Sequence, residues 1–533
     1  MLLKIPQSRF STALLFLIVS LLTRFPYFFK ASVDWDEHTF ILLGQSVLDG
    51  HLPYTFLLDV KPPGLWYCFG LLAFLAQYSL FKLRLLGSLL VATLAFLCYL
   101  NASHHRDQRT GVVAGLVLIA LLNLSNGGQA VMSEHLAMLP IALAFTLLTC
   151  HTYTARNLFL IGILLAIAPL IRLNLAYCSG VIGLYLTGVI LLKSQQSWPT
   201  RILHFTAFGL GSISVLTALL IPYWLQGELG DLNRGMIQAS LSYSNQQDSP
   251  LKVVGKHLYY LFLTSKDSIA LLILHWFLAI NVVKNVRGYV KQGSQRGLRP
   301  GTGEHRIEAG IGEGSIWARL DRHTLIILLF LTSIELSIVQ TGAFYGHYNI
   351  QLAFFISLLT ADPIAPTLTP NQQQKRWLLG IVTAVFIIHH LTQYTVVVTK
   401  LIQTGSPTYG LAFEVSKVLE QENPDRQPVW LQTYPLAYWL THTYPVIPSL
   451  THPSNLYKEF LLQAWYGAQA STALELHKIT VHKPLLIVDW EDRTNLFPEA
   501  VPVHDLLPSW IDQHYQVLDN YDPKLLVYRR RDG

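Results

Sequence analysis

Apolar residues fall in long blocks along the first three-quarters of the chain, broken by short polar stretches. A bilayer-crossing helix needs about 20 mostly apolar residues. Segments of that kind lie at 10–29, 64–81, 83–100, 111–124, 136–150, 158–175, 177–192, 203–225, 268–283, 323–341, 347–361 and 377–399, where 158–192 reads as one broken helix or two. The pattern predicts a polytopic α-helical membrane protein with about 11–13 transmembrane helices. Between the first two segments, the loop 30–63 is polar to amphipathic. Within it, 37–49 places Phe40, Ile41, Leu43 and Val47 or Leu48 on one face, which predicts a helix lying in the interface plane. Gly50 would end that helix as a C′ glycine, and Pro62 and Pro63 would open the next.

After residue 400 the blocks shorten. Val429-Trp430-Leu431, Leu485-Leu486-Ile487-Val488 and Leu525-Leu526-Val527-Tyr528 read as strands, with helical patterns such as 411–421 between them. The expected organisation is a membrane domain over 1–400 and a small soluble α/β domain over 401–533. No Gly-rich phosphate loop precedes a helix there.

Composition agrees with the membrane reading. Only 13% of the 533 residues are charged, about half of the ~25% of a soluble chain. The formal charge is +6, but the basic residues sit mostly in short loops, so a nucleic-acid partner is not expected. The loop 284–322 carries eight Lys and Arg against four acids, which predicts a cytoplasmic loop. The N-terminus, with Lys4 and Arg9 before an uncleaved first helix, should be cytoplasmic too. The loop 30–63 and the terminal domain then lie outside, in an integral cell (inner or plasma) membrane. One conflict arises: counting from residue 1 puts Asn101–Thr110 outside, whereas counting back from 284–322 puts it inside. A half-spanning or re-entrant segment between 64 and 135 would remove it. Cys68, Cys98, Cys150 and Cys178 all fall in apolar runs as small filler, with no disulfide framework or zinc spacing.

The loop 30–63 also concentrates chemistry. Asp34-Trp35-Asp36-Glu37 places carboxylates after one apolar segment, and Lys61 precedes the next. A carboxylate can take a proton from a hydroxyl, and a lysine can hold a phosphate as a point charge. Asp36 is the candidate base, with Glu37 as an alternate base or acceptor anchor. The cluster also reads as a solvated helix cap, and Lys61 as an interfacial lysine snorkelling to headgroups. Asp59 can pair with Lys61 or stay solvated. Three later groups fit the same chemistry. Ser133-Glu134-His135 opens an apolar helix, and its simpler reading is an N-cap. Arg172-Leu173-Asn174 interrupts an apolar stretch, where an arginine faces a cavity or snorkels. His347 and Tyr348, in Gly342–Asn349, can bind a phosphate or sugar, or belong to an aromatic belt.

Asp36-Glu37, a helix ending at Gly50, Pro53-Tyr54, Asp59 and Lys61-Pro62-Pro63 together resemble the first external loop of GT-C glycosyltransferases. The pattern is most similar to bacterial protein O-mannosyltransferase-like and lipid A aminoarabinose transferase enzymes (glycosyltransferase 39/83 type). The resemblance covers about residues 10–400 in architecture, and Tyr434-Pro435 and Tyr438-Trp439 extend it into the tail. It implies a GT-C fold and transfer of a sugar from a polyprenyl-phosphate donor to a hydroxyl acceptor on protein, lipid or glycan. It implies Asp36, or Asp34, at the catalytic position and Lys61 at the carrier phosphate. Glu134, Arg172, His347 and Tyr348 would bind substrate. Gly64 departs from it, standing where a bulkier apolar residue is frequent. No cofactor is implied. The acids can hold a divalent metal, but a phosphate held by Lys61 and Arg172 needs less help from one.

The competing class is a lipid or solute transporter or flippase, which shares the spans and intramembrane charges. It predicts repeated halves with paired broken helices, and no such repeat is visible. A non-catalytic scaffold or sensor remains a third class.

Overall fold

The computed structural model describes residues 8–245 (apart from 126, 194 and 195), 322–340, 345–364, 373–490 and 507–532, with a few isolated positions between 249 and 259. The expected segment 268–283 and nearly all of the basic loop 284–322 lie outside the described residues.

The membrane part is helical: α1 (Arg9–Arg24), α2 (Trp35–Leu48), α3 (Pro63–Ala76), α4 (Leu80–His105), α5 (Gln108–Leu124), α6 (Ser133–Cys150), α7 (Ala155–Ile171), α8 (Leu175–Gly188), α9 (Trp198–Gln226), then Arg322–Gln340, Ile350–Ile364 and Gln373–Thr404. Among the described residues, seven helices are long and apolar enough to cross a membrane. α5 and α7, at 17 residues each, are shorter. α9 leaves Leu203, Leu210, Ile213 and Leu220 exposed, as a lipid-facing helix would. The stretch 158–192 is two helices broken at Arg172-Leu173-Asn174.

One expected span fails. α3 has 14 residues, so it is about 21 Å long against a hydrocarbon core of about 30 Å. Its end turns back through left-handed Gln77 and Tyr78. Tyr78 then stacks on His442 of the terminal domain, and Phe81 packs on Phe25, Phe28 and Phe29 after α1. Both ends of α3 therefore lie on one side. One face of α3 packs on α2, where a Cβ at Gly44 would stand 2.3 Å from the backbone of Phe69, while Tyr67, Leu71, Phe74 and Leu75 on its other face stay exposed. α2 is covered in turn, with residues 37–46 all buried, so it is not a helix laid on the interface by one apolar face.

With α3 removed from the count, the turn after α4 falls at the same end as Arg322, because His105 stacks on His323. This relative placement of Asn101–Thr110 and Arg322 is the one obtained by counting back from the basic loop with α3 as a half-spanning segment. The loop 30–63 and the terminal domain share the opposite end. Leu58 N donates to Pro448 O at 2.9 Å, and Thr39 Oγ1 donates to Thr451 O at 3.2 Å.

The terminal domain holds a mixed four-stranded sheet, in the order β1 (Trp430–Leu431), β2 (Leu486–Trp490), β4 (Leu525–Arg530), β3 (Tyr515–Val517). β1 pairs parallel to β2, and the other pairs are antiparallel. All three apolar runs read as strands become strands, and Leu411–Glu422 is the helix expected over 411–421.

Candidate active site

α2 begins where a side chain caps it. Asp34 Oδ1 accepts the Asp36 N–H at 3.0 Å, and Asp36 and Glu37 occupy the first turn, where the helix dipole favours negative charge. Asp34, not Asp36, is thus the cap. Asp36 is released to face Lys61, whose Nζ lies 3.1 Å from Asp36 Oδ2 with both side chains about a quarter exposed. The rotation of about 100° per helical residue sends Glu37 the other way. Glu37 is fully buried on Arg84 at 2.6 Å and also accepts the Val131 N–H at 2.7 Å. It does not face the cleft, so the expectation of an alternate base there is corrected: Glu37 ties α2 to α4 and to the loop before α6.

Lys61 is held from several directions. Its carbonyl accepts Tyr54 Oη at 2.6 Å and Trp66 Nε1 at 3.1 Å, and its N–H donates to Asp59 Oδ1 at 3.1 Å. Asp59 Oδ2 lies 3.2 Å from Thr451 Oγ1 of the terminal domain. The ammonium stands 5.0 Å from the Phe40 ring centre. Its backbone is therefore fixed while its charge remains partly open.

A second charged group lies on the facing helices. Pro169 and the end of α7 leave Arg172 in extended conformation as the C-cap, a favourable place for a cation. Its Nη1 reaches Glu134 Oε1 at 2.8 Å and Ser133 Oγ at 2.9 Å, and its guanidinium lies 4.4 Å from the Tyr348 ring centre. Asn174 pins the break between α7 and α8 by donating to Ser337 Oγ and Gln351 Oε1. His347 bridges the two groups, with Nε2 3.6 Å from Glu134 Oε1 and Nδ1 3.7 Å from Asp34 Oδ2. The structure thus brings Asp34, Asp36, Asp59, Lys61, Glu134, Arg172, His347 and Tyr348 into one constellation, and leaves Glu37 outside it.

The electrostatics separate the capping carboxylate Asp34 from Asp36 in the first turn. Burial opposes ionisation of Asp36, but Lys61, His347 and His452 outweigh it and hold its carboxyl well below the usual range. Burial, reinforced by Asp36 itself, pushes Asp34 up to about 8. Burial works against the charge on Lys61, yet Asp36 and Asp59 raise its pKa above that of a free lysine. Burial lowers His347 and takes His452 to about 3, so both rings are neutral near pH 7. The carboxylates Asp36 and Glu134 already have ammonium and guanidinium partners, so a metal ion is not needed to balance their charge.

Several contributors carried no readable sequence signal. His452 and Thr451 come from the terminal domain, hundreds of residues from the groups they face. Gly127, in left-handed conformation at φ +68°, lies against Asp34, and a Cβ there would stand 2.8 Å from Asp34 Oδ2. Gly64 did carry a signal, as a glycine where a larger residue is usual. A Cβ at Gly64 would stand 2.6 Å from Leu170 O, so its absence lets α3 cross the last turn of α7 just before Arg172.

Neither a family model nor a curated protein sequence matches the chain. Solved structures do. The chain is similar to ArnT from Cupriavidus metallidurans bound to undecaprenyl phosphate, with a TM-score of 0.58 and 11% identity over 97% of each chain. It is also similar to the apo form of the same protein, with a TM-score of 0.54 and 10% identity over 97% of each chain. Over the described residues the chain has the ArnT-like GT-C membrane fold.

Proposed function

We propose that this chain is an integral-membrane glycosyltransferase that moves a sugar from a polyprenyl-phosphate donor to a hydroxyl acceptor. Asp36 is the base in this reading, and Lys61 and Arg172 hold the carrier phosphate. The observation that carries it is the Asp36–Lys61 pair, partly open beside Arg172, Glu134 and His347, on a fold shared with a protein solved with undecaprenyl phosphate.

At rest the Lys61 ammonium sits on Asp36. A phosphate oxygen arriving beside Lys61 competes for that ammonium, and Asp36 is freed to accept a proton. The acceptor hydroxyl gives its proton to Asp36 and attacks the anomeric carbon on the face away from the phosphate. The bond from that carbon to the phosphate oxygen breaks, and its electron pair leaves with the lipid phosphate. One displacement inverts the anomeric centre. Lys61 and Arg172 stabilise charge gathering on the leaving oxygen. His347 and Tyr348 line the space between them, and Asp34, capping α2, fixes the orientation of Asp36. The reaction takes place on the side that carries the loop 30–63 and the terminal domain, the external side if the basic loop is cytoplasmic.

The test is turnover. Purified protein in lipid nanodiscs, given a polyprenyl-phosphate sugar and an acceptor hydroxyl, should release polyprenyl phosphate. Lys61→Ala should raise the donor KM by at least about 10-fold, the loss of one charge-assisted contact. An unchanged donor KM would remove Lys61 from the phosphate site.

A further inference from the structure

At the other end of the helix bundle, α4 and α6 finish side by side. α4 ends in two consecutive histidines and α6 in a cysteine. One ligand atom from each of His104, His105 and Cys150 lies within 4.8 Å of the others, and Cys150 Sγ stands 4.0 Å from His105 Nε2. These residues are remote from Asp36: α4 runs 26 residues, about 39 Å, from the end that holds the site described above.

The setting is built rather than casual. His105 stacks on His323 with ring centres 3.7 Å apart, which fixes its plane. Cys150 is held beside Asn101, whose Oδ1 lies 3.4 Å from Sγ, while Asn101 Nδ2 donates to Thr146 Oγ1 at 2.7 Å. A cavity of about 340 Å³ opens next to them, lined by His105, Arg106, Thr149, Arg322, His323 and Ile326. The Arg322 guanidinium lies 4.9 Å from the ring centre of Tyr153, in the turn between α6 and α7.

We propose that His104, His105 and Cys150 form a binding site for a borderline-soft transition-metal ion of the Zn²⁺ type. Two imidazoles and a thiolate are the donor set such ions prefer over Mg²⁺ or Ca²⁺. Bonds of about 2.0 Å to nitrogen and 2.3 Å to sulfur, set tetrahedrally, separate the donor atoms by about 3.5 Å. From separations of 4.0 Å and at most 4.8 Å, the side chains need to close by about 0.5 to 1.3 Å to reach that. On binding, the metal–sulfur bond replaces the S–H bond, and the proton passes to solvent. The fourth position faces the cavity, where water or His323 after a change of rotamer can fill it. The bound ion clamps the ends of α4 and α6 where the Arg322–Gln340 helix begins, and it neutralises the thiol chemically by occupying it.

The experiment uses the full chain in nanodiscs, stripped with a chelator and kept reduced with a phosphine. Zn²⁺ is titrated against a chromophoric chelator, and Co²⁺ is added separately as a spectroscopic probe. The expected result is one ion per chain and a cobalt spectrum with a thiolate-to-metal charge-transfer band. Cys150→Ser should abolish that band and weaken Zn²⁺ binding by at least about 10-fold. His104→Gln alters an exposed side chain with little packing, so it serves as the variant least able to disturb folding, and it should weaken binding as well. Zn²⁺ should raise the thermal denaturation midpoint of the parent chain but not of Cys150→Ser. Absence of the charge-transfer band in the parent chain, or Zn²⁺ binding as strong in Cys150→Ser and His104→Gln as in the parent, would overturn the proposal. Because no substrate enters the measurement, its failure would leave the glycosyl-transfer reading untouched.

Discussion

Two ion pairs start from neighbouring residues of one helix turn and end in different surroundings. Glu37–Arg84 has both side chains fully buried, whereas Asp36–Lys61 leaves each about a quarter exposed. Arg84 also donates to the carbonyls of Tyr27 and Lys30, so it closes a network with no vacancy for a substrate. The Lys61 ammonium has one carboxylate within reach and a wall of exchangeable groups around it. A buried pair fixes a register, and a partly open pair can trade partners. The difference separates the frame from the chemistry more clearly than residue type does, since both pairs are one carboxylate and one cation.

The largest effect should come from breaking the buried pair. Arg84→Leu leaves Glu37 charged in the core with its Val131 N–H contact but without its cation, at a cost of about 3–5 kcal/mol. The variant should accumulate poorly and lose its cooperative thermal transition, measured by fluorescence-detected size exclusion on heating. Normal stability in Arg84→Leu would erase the distinction between the two pairs.

Next in size is the crossing beneath the cleft. Gly64→Ala forces a methyl group against the Leu170 backbone carbonyl, which cannot move aside as a flexible side chain would. It should cost about 1–3 kcal/mol and displace Arg172 from Lys61, so turnover should fall further than stability alone explains. Equal losses in both would mean that Gly64 serves packing only.

A smaller effect should appear in the pH dependence of stability. The folded pKa of Asp34, about 8, lies above its ordinary value near 4. The folded state therefore holds this proton more tightly than the unfolded chain does. Its contribution is complete below about pH 4 and is lost as the pH rises through about 8. Asp34→Asn keeps a capping side chain and cannot ionise. Its denaturation midpoint should exceed that of the parent at pH 8.5, and the gap should shrink as the pH falls and close only below about pH 4. A constant offset across that range would show that Asp34 is not a protonated carboxyl in the folded chain.

Much of the architecture could be read from the chain because its signals are local. The strands of the terminal domain, the glycine stop of α2 at Gly50 and the proline start of α3 each depend on a few adjacent residues. The misreading of α3 has a physical cause: hydropathy reports how apolar a helix is, not whether lipid or another helix covers it. The left-handed turn at Gln77 and Tyr78, which ends α3 after 14 residues and sets Tyr78 on His442 of the terminal domain, decides that it does not span. Asp36, Lys61 and Arg172 stood out because charge beside apolar segments is costly. Glu37 stood out for the same reason and was assigned the wrong neighbour, since Arg84 lies within an apolar run on another helix. His452 and Thr451 could not be placed, because only folding brings the terminal domain against the loop 30–63. Cys150 and the histidines it meets, His105 and His104, are 45 and 46 residues apart, so only folding sets them side by side.

The most direct measurement separates donor binding from turnover in a single variant. Asp36→Asn removes a half-buried charge, so its stability should change by less than about 1 kcal/mol. With a polyprenyl-phosphate sugar it should bind donor as well as the parent does or better, because Lys61 loses its resting partner. On addition of the acceptor it should release lipid phosphate at least about 100-fold more slowly, the contribution expected of a positioned base. Release at the parent rate by folded Asp36→Asn would contradict the account.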